Sequence, residues 1–311
     1  MRVVITGASG NLGSALLRHL TGHPGPAGPH EIVGVSRRPP TGSVGGVRWQ
    51  TADVSDPVGR DRLVDAFAGA DAVVHLAWKL QPGWDEPTQR LTNVIGADHV
   101  LTAAATAQVP HLVVVSSVGA YSPGPKDHEV GEDWPTDGVP SSVYSRHKVA
   151  VERLLDRFGR DHPGTTLTRV RPGLVFQAVH ADDVAAAIAT LLRAGERGAG
   201  GAFNVAAGPW LRPADLAGAL GGRRIGLPLG VLRGLAQASW RLHLQPTEPG
   251  WIDLAASVPL MSTTRIRELG WEPQHSSTDA LAELLASMRD RDGDPRFPPL
   301  GSRRKDVSAN S

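Results

Sequence analysis

Short apolar runs rich in Val and Ile alternate with longer helical patterns through residues 2–171: "RVVIT", "EIVGVS", "VRWQTA", "AVVHLA", "HLVVVSS" and "TLTRVR". Few folds accept that beat. A strand that is apolar on both faces must be covered on both faces, and strands separated by helices pair in parallel with helices on each side. The spacing predicts helices over 14–20, 61–68, 89–108, 143–158 and 183–194, and hence an α/β protein with a doubly wound parallel sheet. After "AFNVAAG", near Gly208, Pro, Gly and Trp become frequent and the beat fades. Residues 1–207 are therefore read as the main domain and 208–289 as a smaller substrate-binding region of helices and short strands. Residues 290–311, with almost no apolar periodicity, are read as a disordered tail.

Charge narrows the partners. Lys and Arg number 32 against 31 Asp and Glu, so no net field draws in nucleic acid or an anionic membrane, and a small molecule is the expected partner. A homodimer is left open. The absence of cysteine excludes disulfides, thiolate zinc sites and a cysteine nucleophile. The start, "MRVVITGAS", lacks the apolar helix of a signal peptide, and nothing later reaches the ~18 apolar residues of a membrane span. The expected location is the cytoplasm.

In "VVITGASGNLGSALLRHL", Gly7, Gly10 and Gly13 lie between a buried strand and an amphipathic helix. Glycines there let the backbone approach a pyrophosphate, and free N–H groups at the helix start attract the anion. This Thr-Gly-x-x-Gly-x-x-Gly start resembles that of the short-chain dehydrogenase/reductase superfamily, which implies a Rossmann-like domain binding NAD or NADP. The second strand ends "VGVSRRPP". An acidic residue there would bond the adenosine ribose, but Ser36, Arg37 and Arg38 occupy the region, and a guanidinium suits a 2′-phosphate. NADP is the expected cofactor, with NAD as the alternative. The resemblance extends the cofactor contacts to Ser9, Asn11, Leu12, Asp53, Val54, Leu76, Ala77 and Trp78.

"YSRHK" holds one of two tyrosines and one of four lysines in the chain. On a helix, Tyr144 and Lys148 lie one turn apart on one face, where an ammonium favours the phenolate. Ser117, ending the strand of "VVVSSVGAY", would hold the substrate oxygen while Tyr144 moves the proton. With these motifs the chain resembles the extended branch, the NAD(P)-dependent epimerase/dehydratase family. "LTNVIGADHVLTAA" is similar to its fourth helix, which places Asn93 in a proton relay, and counting back from Tyr121 selects Ser117 over Ser116. "RVRPGLVF" is similar to the segment beside the nicotinamide, bringing Arg171 and Pro172 to the cofactor. "HADDVAAAI" and "TTRIRELGWEP" match further family signatures. The implied activity is hydride transfer at a secondary alcohol or ketone by Ser117, Tyr144 and Lys148, with Asn93 assisting. The alternatives are a sugar-nucleotide epimerase that retains its cofactor and a non-catalytic NADP(H) sensor.

The chain departs from the family in two places. Val118-Gly119 stands where dehydratases carry Asp-Glu, which argues against a 4,6-dehydratase. Only seven residues, "GLVFQAV", separate Pro172 from His180, where the family has some tens that form a pocket wall. The run 174–179 is expected to continue as a strand, leaving an open cleft that suits a small hydrophobic substrate near Trp78 better than a sugar nucleotide. Asp182 and Asp183 beside His180 are read as helix capping, and no metal is expected at His180, Asp182 and Asp183 or in "KDHEVGED".

Overall fold

The computed structural model describes residues 1–25, 28–40, 45–80, 83–174, 176–219 and 227–289; the tail expected over 290–311 lies outside them. The chain runs β1 (Arg2–Thr6), α1 (Asn11–Gly22), β2 (Glu31–Ser36), β3 (Val47–Thr51), α2 (Pro57–Phe67), β4 (Ala72–His75), α3 (Glu86–Arg90), α4 (Gly96–Thr106), β5 (His111–Val115), β6 (Glu129–Val130) and α5 (Val143–Asp161). It continues through β7 (Thr166–Pro172), α6 (Ala181–Gly195), β8 (Gly201–Val205), α7 (Pro213–Ala219), α8 (Leu229–Arg241), α9 (Gly250–Ser257), β9 (Leu260–Met261), α10 (Thr264–Arg267) and α11 (Ser277–Arg289).

Seven strands form one parallel sheet in the order β3-β2-β1-β4-β5-β7-β8, while β6 pairs with β9 apart from it. The pleat explains the continuous apolar runs. On β1, Val3 and Ile5 enter the core beneath α1 and α6, and Val4 enters the opposite core beneath α2, α4 and α5. A third cluster, including Tyr121, Leu254, Val258 and Met261, joins the later helices to the edge of the main sheet. Trp271 of "LGWEP" reaches into the first core, and its Nε1 donates to Asp183 O at 3.0 Å. Strand order reverses between β1 and β4, so the crevice beyond their carboxyl ends is where a ligand sits in such a sheet. No helix among the described residues is long and apolar enough to cross a membrane.

Three expectations are corrected. The helix expected over 89–108 is divided: between α3 and α4, residues Leu91–Ile95 form a π-helical turn, the kind of irregularity that concentrates at functional sites. The run 174–179 does not extend β7, since none of its described residues is in a strand. Gly173 N–H makes a last bond to Val205 O, and the Gln177 side chain instead brackets the backbone of Met261, accepting from its N at 2.6 Å and donating to its O at 3.1 Å. At α6 the cap is His180, whose Nδ1 accepts from Asp182 N at 3.2 Å. Asp183 faces the other way and accepts from the backbone N–H groups of Gln274 and His275.

Candidate active site

The glycine turn lies at the reversal point. Gly7 has φ +76°, donates its N–H to Val35 O at 2.9 Å, and packs so tightly on the segment after β4 that a Cβ would lie 2.6 Å from Ala77 N. A Cβ on Gly13 would lie 2.5 Å from the carbonyl oxygens of Gly7 and Ala8. Leu76 and Ala77 thus form the floor against which Ser9, Gly10, Asn11 and Leu12 turn into α1. Gly10 caps α1 without a side-chain bond and no acid occupies its first turn, so the opening N–H groups face outward for an anion. At the end of β2, the Ser36 hydroxyl is buried without a hydrogen-bond partner. Arg37 and Arg38 are exposed and pair with no carboxylate among the described residues. Asp53 accepts from Ser55 N and Oγ at 2.9 and 2.6 Å, and Val54 O accepts from His99 Nδ1 at 2.8 Å. Open amides, an unpartnered buried hydroxyl and two unpaired guanidinium groups at one crevice fit a phosphate-bearing dinucleotide.

The Ser117 and Tyr144 segments are fastened together by Ser145. Its Oγ donates to Gly119 O at 2.6 Å and accepts from Val139 N at 2.7 Å, which fixes the start of α5 against the turn after β5. Ser117, buried, accepts from Gly119 N at 3.0 Å. A Cβ at 119 would lie 2.7 Å from Tyr144 Cε1, so glycine is what lets the phenol ring lie there. Tyr144 stacks on Trp251 at 5.0 Å and 29°, and meets Trp78 edge-on at 5.9 Å. Burial pushes the phenol up to about 12, with the Ser117 hydroxyl drawing it down. The expected influence of Lys148 on the phenol is not among the causes of that shift.

Lys148 is 3% exposed. Its Nζ donates to Val115 O at 3.0 Å and lies 3.5 Å above the Trp78 ring centroid, but 5.8 Å from that of Tyr144. Burial lowers the ammonium to about 7, against the pull of Glu152. His75, fully buried beneath, lies 2.7 Å from Thr6 Oγ1 through its Nδ1 and is lowered to about 3 by burial and then by Lys148.

Asn93 and Arg171 are engaged elsewhere. Asn93 accepts from Lys79 N at 2.7 Å and donates to Lys79 O at 3.2 Å, holding the segment after β4 with both ends of its amide. Arg171 grips Glu152 on α5 through Nε at 2.9 Å and Nη2 at 3.1 Å, and its Nη1 donates to Tyr121 Oη and Glu132 O. Arg169 adds a bond to Glu152 at 3.0 Å. Glu152 is held below its usual value because these partners outweigh its burial, and the Arg171 guanidinium is raised. Pro172 ends β7 beside them.

A cavity of about 270 Å³ opens beside Tyr144 and Asn93. Its far wall comes from Trp240, Pro246, Glu248 and Trp251, so the C-terminal region supplies an enclosure that the short 173–179 link cannot. Sequence reasoning missed this wall, because three elements with no common period contribute to it. It also missed Glu152, although its position four residues after Lys148 was a signal. Among the described residues, no group of three or more His, Asp or Glu is placed to hold a metal ion.

An open seven-stranded parallel sheet with a glycine turn at its switch point defines a Rossmann-like protein. The chain belongs to the NAD dependent epimerase/dehydratase family, whose model matches residues 3–178, and so to a family of NAD-dependent enzymes. An uncharacterised protein of Mycobacterium tuberculosis is 27% identical over 94% of this chain and 31% of its own length. The chain thus spans about a third of the length of the first curated relatives it matches. A UDP-glucose 4-epimerase of Mycolicibacterium smegmatis is 27% identical over 94% of this chain and 99% of its own. The crystal structure of the Thermus thermophilus UDP-glucose 4-epimerase in complex with NAD superposes with a TM-score of 0.66 at 20% identity, covering 91% of this chain and 97% of that one, which establishes the shared fold.

Proposed function

We propose that the chain is an NADP(H)-dependent oxidoreductase that reduces a ketone, or oxidises the matching secondary alcohol, at Ser117, Tyr144 and Lys148. The observation that carries this reading is the convergence of a half-buried phenol, a serine hydroxyl and a buried ammonium around Gly119 and Trp78. When bound, the nicotinamide supplies or accepts the hydride. The Ser117 hydroxyl orients the substrate oxygen, and Tyr144 Oη gives that oxygen its proton. With its pKa pushed up to about 12, the phenol is protonated at neutral pH and so carries the proton that reduction requires. Trp251 and Trp78 pack against the ring. In this reading Lys148 holds the ribose side of the dinucleotide, and Arg37 and Arg38 hold a 2′-phosphate.

In Tyr144→Phe we expect turnover to fall roughly 10²–10⁴-fold while calorimetric cofactor binding persists; full activity would remove Tyr144 from the mechanism. NADPH is expected to bind roughly ten- to a hundredfold more tightly than NADH, the preference falling in Arg37→Ala, since a charge-assisted bond contributes about 1.5–3 kcal/mol. Equal affinities in the wild type would defeat the assignment. Similarity to a UDP-glucose 4-epimerase along the whole chain favours a second reading, epimerisation with retained cofactor. Stoichiometric consumption of NADPH separates the two.

A further inference from the structure

The cavity beside Tyr144, at about 270 Å³, lies at the small end of the roughly 300–1,000 Å³ usual for small-molecule sites. Its apolar lining is mostly aromatic: Trp84, Trp240 and Trp251 accompany Tyr144, beside Leu80, Val143 and Pro246. Trp84 Nε1 donates to Trp240 O at 3.3 Å, so the segment before α3 is fastened to the end of α8. Trp251 already lies against the Tyr144 ring, and such faces favour a flat apolar body.

The polar lining limits charge. Arg146 donates to Glu86 Oε1 and to Pro140 O, both at 2.8 Å. Lys79, the other lining cation, makes no ion-pair contact among the described residues but acts on the Asp85 carboxylate. Glu248 also lines the cavity: one of its oxygens accepts from Val143 N at 2.7 Å, and the other receives no hydrogen bond from the described residues. Two cations, each already near a carboxylate, beside the lining carboxylates Glu86 and Glu248 make a poor host for a diphosphate, whereas the second Glu248 oxygen calls for a hydroxyl or amine.

We infer that the site takes a compact, uncharged ring ketone, its ring laid on Trp251 and a hydroxyl or amino group presented to Glu248. The carbonyl in this description rests on the proposed oxidoreductase reading; recognition of the ring and donor does not. The experiment compares butanone, tetralone and a hydroxytetralone as substrates with NADPH, with UDP-glucose as a competitor. Tetralone should exceed butanone in kcat/KM by at least about tenfold, and the hydroxytetralone should exceed tetralone. In Trp251→Leu the tetralone-to-butanone ratio should fall about tenfold. Glu248→Gln, which keeps an oxygen for Val143 N–H, should erase the advantage of the added hydroxyl. Equal use of butanone and tetralone by the wild type, or micromolar inhibition by UDP-glucose, overturns the inference without recourse to any variant. Calorimetric binding of tetralone to the NADP⁺-loaded Tyr144→Phe protein separates the two ideas. Tight binding with no wild-type turnover upholds the ring site and sinks the oxidoreductase reading, while turnover of butanone with no preference for rings does the reverse.

Discussion

Replacing Lys148 with Met should make the cofactor-free protein more stable while disabling it. The ammonium is buried with one hydrogen bond, to Val115 O, and the face of Trp78 for company. Its fall from 10.5 to about 7 corresponds to about 5 kcal/mol set against the charged form, at ~1.4 kcal/mol per pH unit. Met has a similar length and no charge, so that penalty disappears. Against the gain stand the lost hydrogen bond, about 1 kcal/mol, and the lost cation–π contact, about 1–2 kcal/mol. A net gain of about 1–3 kcal/mol remains, or a melting-point rise of a few degrees. Between pH 7 and 10.5 the unfolded chain binds the Lys148 proton more readily than the folded chain, so wild-type stability from this group rises with pH across that window. The advantage of Lys148→Met is therefore full below about 7, shrinks by ~1.4 kcal/mol per pH unit above it and is gone well before 10.5. Thermal melts of both cofactor-free proteins at acid, neutral and alkaline pH read this directly, with dinucleotide titration alongside. A variant that melts below wild type in mild acid, or a gap unchanged in alkali, would refute the reasoning.

Gly7→Ala should lose about 2–5 kcal/mol in urea denaturation, summing strain at positive φ with an overlap that backbone atoms on both sides cannot relieve; a wild-type midpoint would show that the turn can open. Arg171→Met leaves Glu152 buried with Arg169 alone and should destabilise by about 3–5 kcal/mol near neutral pH. Because the folded Glu152 carboxyl titrates below its usual 4.5, its stabilisation is present above that value and lost as pH falls through the lower folded one. The gap between Arg171→Met and wild type should accordingly close in acid, and a gap that held constant would place the interaction elsewhere.

The sheet was legible because strands buried on both faces cannot hide their composition: Val3, Val4 and Ile5 serve two cores from one short run. Tyr144 and Lys148 were legible because a helix turns their spacing into proximity. The role of Arg171 was harder to read. Its position in "RVRP" resembles a cofactor segment, yet Arg169 and Arg171, two apart on β7, point to the same side and both reach Glu152 on α5. The apolar run after β7 misled for another reason, since the Gln177 amide serves β9 in place of a backbone edge. The wall of the cavity had no local signal at all, because Trp240, Glu248 and Trp251 meet only through tertiary packing.

Ser145 holds the start of α5 at two points, and Gly119, Trp78 and Trp251 pack against the Tyr144 ring beside the cavity. The phenol therefore has one address. Under the proposed oxidoreductase reading, proton and hydride reach a prochiral ketone from fixed directions, so the face reduced is set by which of its two substituents enters the cavity. An excess of one alcohol is then expected, and a racemic product would mean that the cavity does not tell the two substituents apart.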